Sequence, residues 1–531
     1  MHAPGPAAPS RSVAVLGGGT AGWLVALMLQ RFSQMNGLRL KVSVVESSSI
    51  PTIGVGEGTT AVFRLMLRRL GLDEGEFTRS TGATVKLGIR HQGWATAADH
   101  YNAPIDEPHH IPERHEKHRA DLAVGIHAQA VASGHPLADS HLFGHLMRRD
   151  GVPWVSGRLG ELQPVSPFDY AFHFDQARVG LWLRQKAGGV AHIDARMVGA
   201  DRDPQTGDVK ALLLDGDKRI EADFFIDCSG FRRALILGCM RGAWHSYAAE
   251  LPANRAMPFW LDHDPARDIA PYTLAAAQSA GWMWAIPTQE RLGCGYVYSD
   301  HFLDPDGAQR EIERVLGRRI EPRNDLKFDA GRLEEAWVGN CLAVGLSSSF
   351  LEPLEATSIH GTIVQMMHFT ERCLHALWTP GAVDEARRDY NRFVARQVDD
   401  FRDFINLHYV SRRTEPFWQE VQRSFILEVN RHRLSSWRRR MPVAADFVRL
   451  PGNLPHVQEQ LHVPVLAGLG LIRKPAARAF LGGLPQSGTG VAGLAAQLRQ
   501  RHAEAASRCL SHRGYLKAVL GEVVAEASAA R

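Results

Sequence analysis

Glycines at positions 17, 19 and 22 stand in the spacing that cradles a phosphate. They follow a short apolar run, Ser12 to Leu16, and open into a stretch of helical periodicity, so the segment reads as strand, tight turn and helix. In such a turn the first glycine supplies the bend, the second lets a pyrophosphate approach the backbone, and the third lets helix and strand pack closely. Thr20 and Ala21 complete the turn, and Glu46 ends the next strand, predicted over Leu40 to Val45. A carboxylate there can accept hydrogen bonds from ribose hydroxyls. A second match, Gly488, Gly490 and Gly493, follows Pro485, Gln486 and Ser487 instead of a strand, and reads as a loop. With one fingerprint the chain holds one dinucleotide, and any nicotinamide-derived electrons must arrive from elsewhere.

Other reactive residues form no recognisable site. Nine histidines lie between His100 and His145, among them the pairs His109, His110 and His115, His118. HEKH lacks the HExxH spacing that sets two imidazoles on one helix face, so these read as solvated loop residues and no metal site is expected. The serines at 347 to 349 lack the GxSxG turn of a hydrolase nucleophile. Six cysteines are scattered without CxxC pairs, which argues against disulfides and thiolate zinc and for a cytoplasmic location.

Trp282, Trp284, Ile286 and Pro287 lie in the string GWMWAIP, Gly281 to Pro287. In an extended segment the two tryptophans share a face and can form an apolar wall, and Pro287 ends the ladder. Two more segments, Ala222 to Phe231 and Trp337 to Phe350, run from a strand into small residues, Gly345 among them, that permit close backbone approach.

The GWMWAIP string resembles the WxWxIP signature of flavin-dependent halogenases of the tryptophan halogenase family. The resemblance runs from about Ser12 to Trp418 and includes IGVGEGTT (Ile53 to Thr60), TVKLGIRHQGW (Thr84 to Trp94), DYAFHFDQ (Asp169 to Gln176), SSSFLEPLEATSIHG (Ser347 to Gly361) and LHYVSRRTEPFW (Leu407 to Trp418). It implies FAD as cofactor, supplied as FADH2 by a separate NAD(P)H-dependent flavin reductase, and a halide ion, chloride or bromide, oxidised to hypohalous acid. The tryptophan motif is then expected to keep the organic substrate away from the flavin. Lys86 becomes the candidate catalytic lysine and Glu355 the matching carboxylate. A lysine lifted out of water can donate a hydrogen bond to hypohalous acid or form a haloamine. Glu355 could polarise the oxidant or accept the proton that the arene loses. The backbone amides of Thr357 and Ser358, at a predicted helix start, would suit the halide. Ala356 stands where tryptophan halogenases commonly have serine, so a simpler indole, another small aromatic or a carrier-bound one is as much expected as free tryptophan. Two other functions use the same cofactor fold: a flavin monooxygenase of an aromatic or isoprenoid substrate, and a non-catalytic flavin-binding protein.

To position these residues the chain needs an α/β fold. We expect a glutathione-reductase-like FAD-binding fold with a Rossmann-type βαβ start and a largely helical C-terminal region. The expected divisions are a tail over 1–11, an FAD-binding α/β region over 12–355 with a His- and Pro-rich loop insertion at about 95–150, and a mainly helical substrate-side region over 356–531. Length and a hydrophobic content of 45% allow a large core. A formal charge of +4 on 531 residues gives no basic tract for nucleic acid. The run Val463 to Ile472 is too short to span a bilayer, so no membrane is expected. A homodimer stays open.

Overall fold

In the computed structural model, residues 10–50, 56–108, 116–158, 161–165, 168–484 and 490–521 are described. Of the sequence expectations, most of the N-terminal tail, Ile53 to Val55, His109, His110, His115, the side chain of His118, and Gly488 lie outside them.

Apolar runs with few polar interruptions make strands that can be covered on both faces, as a parallel sheet requires. The strand Arg11–Leu16 pairs in parallel with Leu40–Glu46 on one side and Phe224–Asp227 on the other. Ala191–Asp194 extends the sheet beyond Leu40–Glu46, and Cys341–Ala343 extends it beyond Phe224–Asp227, again in parallel. Trp337–Val338 closes that edge antiparallel, so the sheet has six strands. The helix Thr20–Met35 leaves the glycine turn and packs against the helices Gln176–Lys186 and Thr357–His368. The strands Phe224–Asp227 and Cys341–Ala343, from the two later segments Ala222 to Phe231 and Trp337 to Phe350, thus lie in the same sheet as the strand that leads into the glycine turn.

A second sheet of seven strands holds GWMWAIP near its centre. Its order is Leu326–Lys327, Arg255–Asp262, Arg291–Tyr298, Gly281–Pro287, Tyr272–Gln278, Gly88–Gln92 and His100–Pro104. A third sheet, of three strands, has Ala171–Phe174 paired antiparallel with both Glu57–Gly58 and Thr84–Lys86. The chain passes from this small sheet into the seven-stranded one across a single residue, Leu87. From Thr357 onward every named element is helical, including the long helix Val383–His408. No helix among the described residues is long and apolar enough to cross a membrane.

The region 95–150 departs from the loop expectation. It contains the strand His100–Pro104 and the helices Glu116–Ser133 and Leu142–Met147. In the first of these helices Val124, Ile126, Ala128 and Ala130 are all buried, and residues two apart lie on opposite sides of a helix. Burial from two sides leaves no single apolar stripe to read. The insertion's histidines are likewise not all solvated: His127 and His141 are buried, with their Nε2 atoms 3.1 Å apart, while His100 and His135 are exposed. The second glycine match also differs from a plain loop, because Gly490 and Gly493 begin the helix Gly490–Arg508.

Candidate active site

Two of the three turn glycines answer to the protein itself. Gly17 has φ +112°, and a Cβ there would lie 2.3 Å from the Cys228 carbonyl oxygen. A Cβ on Gly22 would lie 1.8 Å from the Gly17 oxygen. Gly19 is different, since a Cβ there would meet nothing within 4 Å. The space over Gly19 therefore fits a phosphate group, and the turn as a whole fits a dinucleotide. Glu46 lies against this turn: its side chain occupies the place a Cβ on Gly18 would take. Its Oε1 accepts from Arg184 Nη1 at 3.4 Å and lies 2.8 Å from His192 Nε2, which holds the carboxylate against the turn. Gly345, φ +67°, stands beside Ala21, its would-be Cβ 3.1 Å from the alanine methyl, so the fifth parallel strand, Cys341–Ala343, delivers small residues to the same turn.

The helix Thr357–His368 starts next to them. Its N-cap is Ala356, in the left-handed conformation, and no side chain caps the first turn. A serine there would carry a hydroxyl, the usual cap, whereas alanine has none to offer. Thr357 and Ser358 line a cavity together with Gly345, Ser349 and Leu351, so the helix start and the glycine border a common space. Uncapped N-terminal amides and the helix dipole suit a small anion.

Lys86 ends the strand Thr84–Lys86 and is 2% exposed. Its Nζ donates to the Thr59 carbonyl at 2.9 Å and sits against Gly58. Burial pushes its pKa down to about 8, against the attraction of the Glu355 carboxylate, which raises it. The next residue, Thr60, bonds through Oγ1 to His360 Nδ1 at 2.9 Å, one turn into the helix that begins at Thr357. The segment 56–60 therefore ties the lysine to the helix that offers the amides.

Glu355 closes the short 3-10 turn Pro353–Glu355 just before that helix. Its Oε1 lies 2.8 Å from His408 Nε2, at the end of the long helix, and 3.7 Å from His91 Nε2. His408 Nδ1 lies 2.8 Å from the Phe404 carbonyl, which can only accept, so Nδ1 carries a proton. The short contact at Nε2 needs a further proton, placed either on Nε2 or on the carboxyl. Glu355 and His408 thus hold one proton between them. His91, Glu355 and His408 offer ligand atoms within 4.8 Å of one another, as do His368, Cys373 and Asp389 elsewhere. Both sets could hold a metal by geometry, but the Lys86 cation stands beside the first, and Arg372 and Arg392 pair with Asp389 in the second.

The tryptophan strand forms the wall expected of it. Trp282 and Trp284 are buried on one face with ring centroids 6.3 Å apart, and Trp94 lies 6.2 Å from Trp282. Gly295 is paired opposite Trp284, and a Cβ there would fall 2.0 Å from its ring. Ile286 packs on Gly56, and the Pro287 carbonyl, at the strand's end, accepts from Thr84 Oγ1 at 2.5 Å. The signature strand is thereby fastened to both the 56–60 segment and the lysine strand. Trp282 Nε1 donates to Glu352 Oε2 at 2.8 Å, and the Tyr409 hydroxyl donates to the same oxygen at 2.5 Å. Burial raises the Glu352 pKa to about 7, those two donors opposing.

Lys86, Glu355, Trp282 and the Thr357 helix start lie near one another. His91, His408, Glu352 and Glu57 were not foreseen. Glu57 is half-buried, accepts from Gln176 Nε2 at 2.7 Å, and has a pKa raised to about 7 by desolvation. For His91 period-two reasoning misleads: five residues from Lys86 puts it on the opposite face of one strand, but the break at Leu87 turns the chain into another sheet. His408 stands 53 residues from Glu355, and only the length of the helix that ends there could have suggested the pairing.

Comparison with known proteins bears on the same residues. The family described as tryptophan halogenase matches residues 12–479. The 7-chloro-L-tryptophan 6-halogenase KtzR of Kutzneria sp. (strain 744) is 31% identical over 96% of this chain and 99% of its own. The tryptophan 7-halogenase RebH of Lentzea aerocolonigenes is 31% identical over 87% of this chain and 89% of its own. Among solved structures, BrvH, a flavin-dependent halogenase from Brevundimonas sp. BAL3, superposes with a TM-score of 0.81 at 31% identity, covering 96% of this chain and 99% of that one. On this match of sequence, fold and site, the chain belongs to the tryptophan halogenase family of flavin-dependent enzymes.

Proposed function

We propose that this enzyme halogenates an electron-rich arene, an indole for instance, with hypohalous acid that is made on its flavin side and used at Lys86. The observation that carries the reading is the burial of Lys86 beside Glu355, at the end of a segment fixed to the helix with uncapped amides. Bound at the glycine turn as FADH2, FAD supplies the two electrons that, with O2 and a proton, turn halide into hypohalous acid and water. A separate NAD(P)H-dependent reductase provides the reduced flavin, since the sequence carries one dinucleotide fingerprint. Gly17, Gly19, Thr20, Ala21, Gly22, Glu46 and Gly345 hold the cofactor, and the Thr357 and Ser358 amides hold chloride or bromide.

The Lys86 ammonium, mostly protonated below its pKa of about 8, donates a hydrogen bond to the oxidant's oxygen and keeps it from diffusing away. As the arene carbon takes the halogen, the oxidant's hydroxyl takes a proton from the Lys86 ammonium and leaves as water. Glu355, oriented by His408, accepts the ring proton at Oε1 or Oε2 and restores aromaticity. The wall of Trp282, Trp284, Ile286 and Pro287 would keep the arene apart from a flavin bound at the glycine turn, so that halogenation is favoured over oxygenation. Fixing the ring beside Lys86 then selects the carbon that reacts. We place the enzyme in the cytoplasm, where its six free cysteines are stable.

The test is incubation with a flavin reductase, NADH, FAD, O2, bromide and indole. A product with the bromine isotope doublet supports halogenation. A gain of one oxygen supports the monooxygenase reading, and recovery of unchanged indole supports a flavin protein without turnover.

A further inference from the structure

His91 is a buried group beside Glu355 and His408 whose chemistry is still unassigned. It is fully buried on the strand Gly88–Gln92, and neither Nδ1 nor Nε2 has a hydrogen-bond partner among the described residues. The other buried histidines of the described residues each have at least one: His173 bonds Thr273, His360 bonds Thr60, His368 bonds Asp389, His456 bonds Asp400, and His462 and His512 bond backbone carbonyls. His127 and His141 bond each other. Burying an imidazole with both nitrogens unmet is costly, and such a group in a native fold calls for a partner that arrives later. The ring is stacked on Tyr101, 4.6 Å between centroids and 11° from parallel, and the Tyr101 hydroxyl is also buried and unpartnered. On its other side lie Glu355 Oε1 at 3.7 Å and the His408 ring at 5.3 Å. Three unmet polar atoms therefore surround the place where Lys86 and Glu355 act.

Burial keeps His91 neutral, followed by His408 and Lys86, whose charges oppose a third cation. A neutral imidazole has one lone-pair nitrogen and one N–H. The lone pair accepts a hydrogen bond from a protic group.

We propose that His91 recognises the substrate by accepting a hydrogen bond from a ring-borne N–H or O–H, which makes the substrates indoles or phenols with an unsubstituted heteroatom. The proposal rests on the halogenase reading for its arene and deepens it. Accepting that hydrogen bond also pushes electron density into the ring, which favours attack by the electrophilic halogen carbon by carbon.

The experiment measures affinity as well as turnover. Dissociation constants of indole, 1-methylindole, phenol and anisole are measured for the FAD-loaded protein and for His91→Phe and His91→Gln. The wild type should bind indole about tenfold tighter than 1-methylindole, and phenol tighter than anisole by a similar factor, the scale of one hydrogen bond to a buried group. In His91→Phe both ratios should collapse towards one, and His91→Gln, which keeps an acceptor, should restore part of them. The stronger of the two wild-type ratios tells an indole site from a phenol site. Equal affinity within each pair in the wild type, ratios unchanged in His91→Phe, or no binding of any of the four overturns the proposal. Binding with these ratios but no brominated product refutes the halogenase reading instead and leaves His91 as assigned.

Discussion

Replacing Lys86 by methionine should stabilise the protein while removing its activity. A lysine whose pKa falls from 10.5 to about 8 on folding prefers to be neutral in the native state. Below about pH 8 the folded protein therefore carries the cost of a buried cation, and the cost fades as pH rises from 8 to 10.5. At pH 7 the shift corresponds to about 3 kcal/mol, at roughly 1.4 kcal/mol per unit. Methionine removes that cost and fills similar space, but it leaves the Thr59 carbonyl without its donor, a loss of about 1–2 kcal/mol. The net gain is about 1–2 kcal/mol. With an unfolding entropy of roughly 2 cal/mol/K per residue, that raises the thermal midpoint of this chain by about 1–2 °C. The assay is thermal unfolding of both proteins without FAD at pH 7 and pH 10, together with bromination of indole at pH 7. The stability advantage of Lys86→Met should shrink at pH 10, and bromination should fall at least a hundredfold, the scale of a lost acid–base group. A variant less stable at pH 7, or as active as the wild type, would refute the account of a costly cation kept for its chemistry.

Turnover of the wild type should fall as pH rises through about 8, where Lys86 loses its proton, and a rise there would mean that the neutral amine acts. Gly19→Val should fold normally, because nothing lies within 4 Å of a Cβ there, yet bind FAD at least tenfold more weakly by equilibrium titration. Undiminished affinity would remove Gly19 from the cofactor site. Glu57, whose pKa is raised from 4.5 to about 7, favours the folded state when protonated, a contribution present below pH 4.5 and lost as pH rises through 7. Glu57→Gln should cut the loss of stability between pH 5 and pH 8 by about 2 kcal/mol in denaturant titrations, and an unchanged slope would contradict the shift. Trp282→Phe leaves Glu352 with one donor and should cost about 1–3 kcal/mol of stability, measured the same way.

Much of this site was legible because local chemistry fixed it. The glycine turn needs no tertiary context: an apolar strand, three spaced glycines and an apolar helix dictate one geometry, and Gly17 and Gly22 show why nothing larger fits. The shared face of Trp282 and Trp284 follows from the period of a strand. The family resemblance marked Lys86 and Glu355, but neither the lysine's burial nor its neighbours could be read from position alone. His91 and His408 escaped because a sheet change at Leu87 and a 26-residue helix, Val383–His408, bring them in. The insertion was misread for a related reason: a helix buried on two sides, with Val124 and Ile126 both inside, has no apolar stripe to distinguish it from a loop.

The most direct test of internal delivery is where oxidised bromide goes. Turnover with a flavin reductase and bromide can be run with indole and an excess of a bulky 1,3-diketone that reacts with free hypobromous acid. If Lys86 captures the oxidant, the wild type brominates indole and spares the diketone, whereas Lys86→Met keeps consuming O2 and NADH but brominates the diketone. A wild type that brominates the two in proportion to their concentrations would show that the oxidant escapes into solution and that the buried lysine does not direct it.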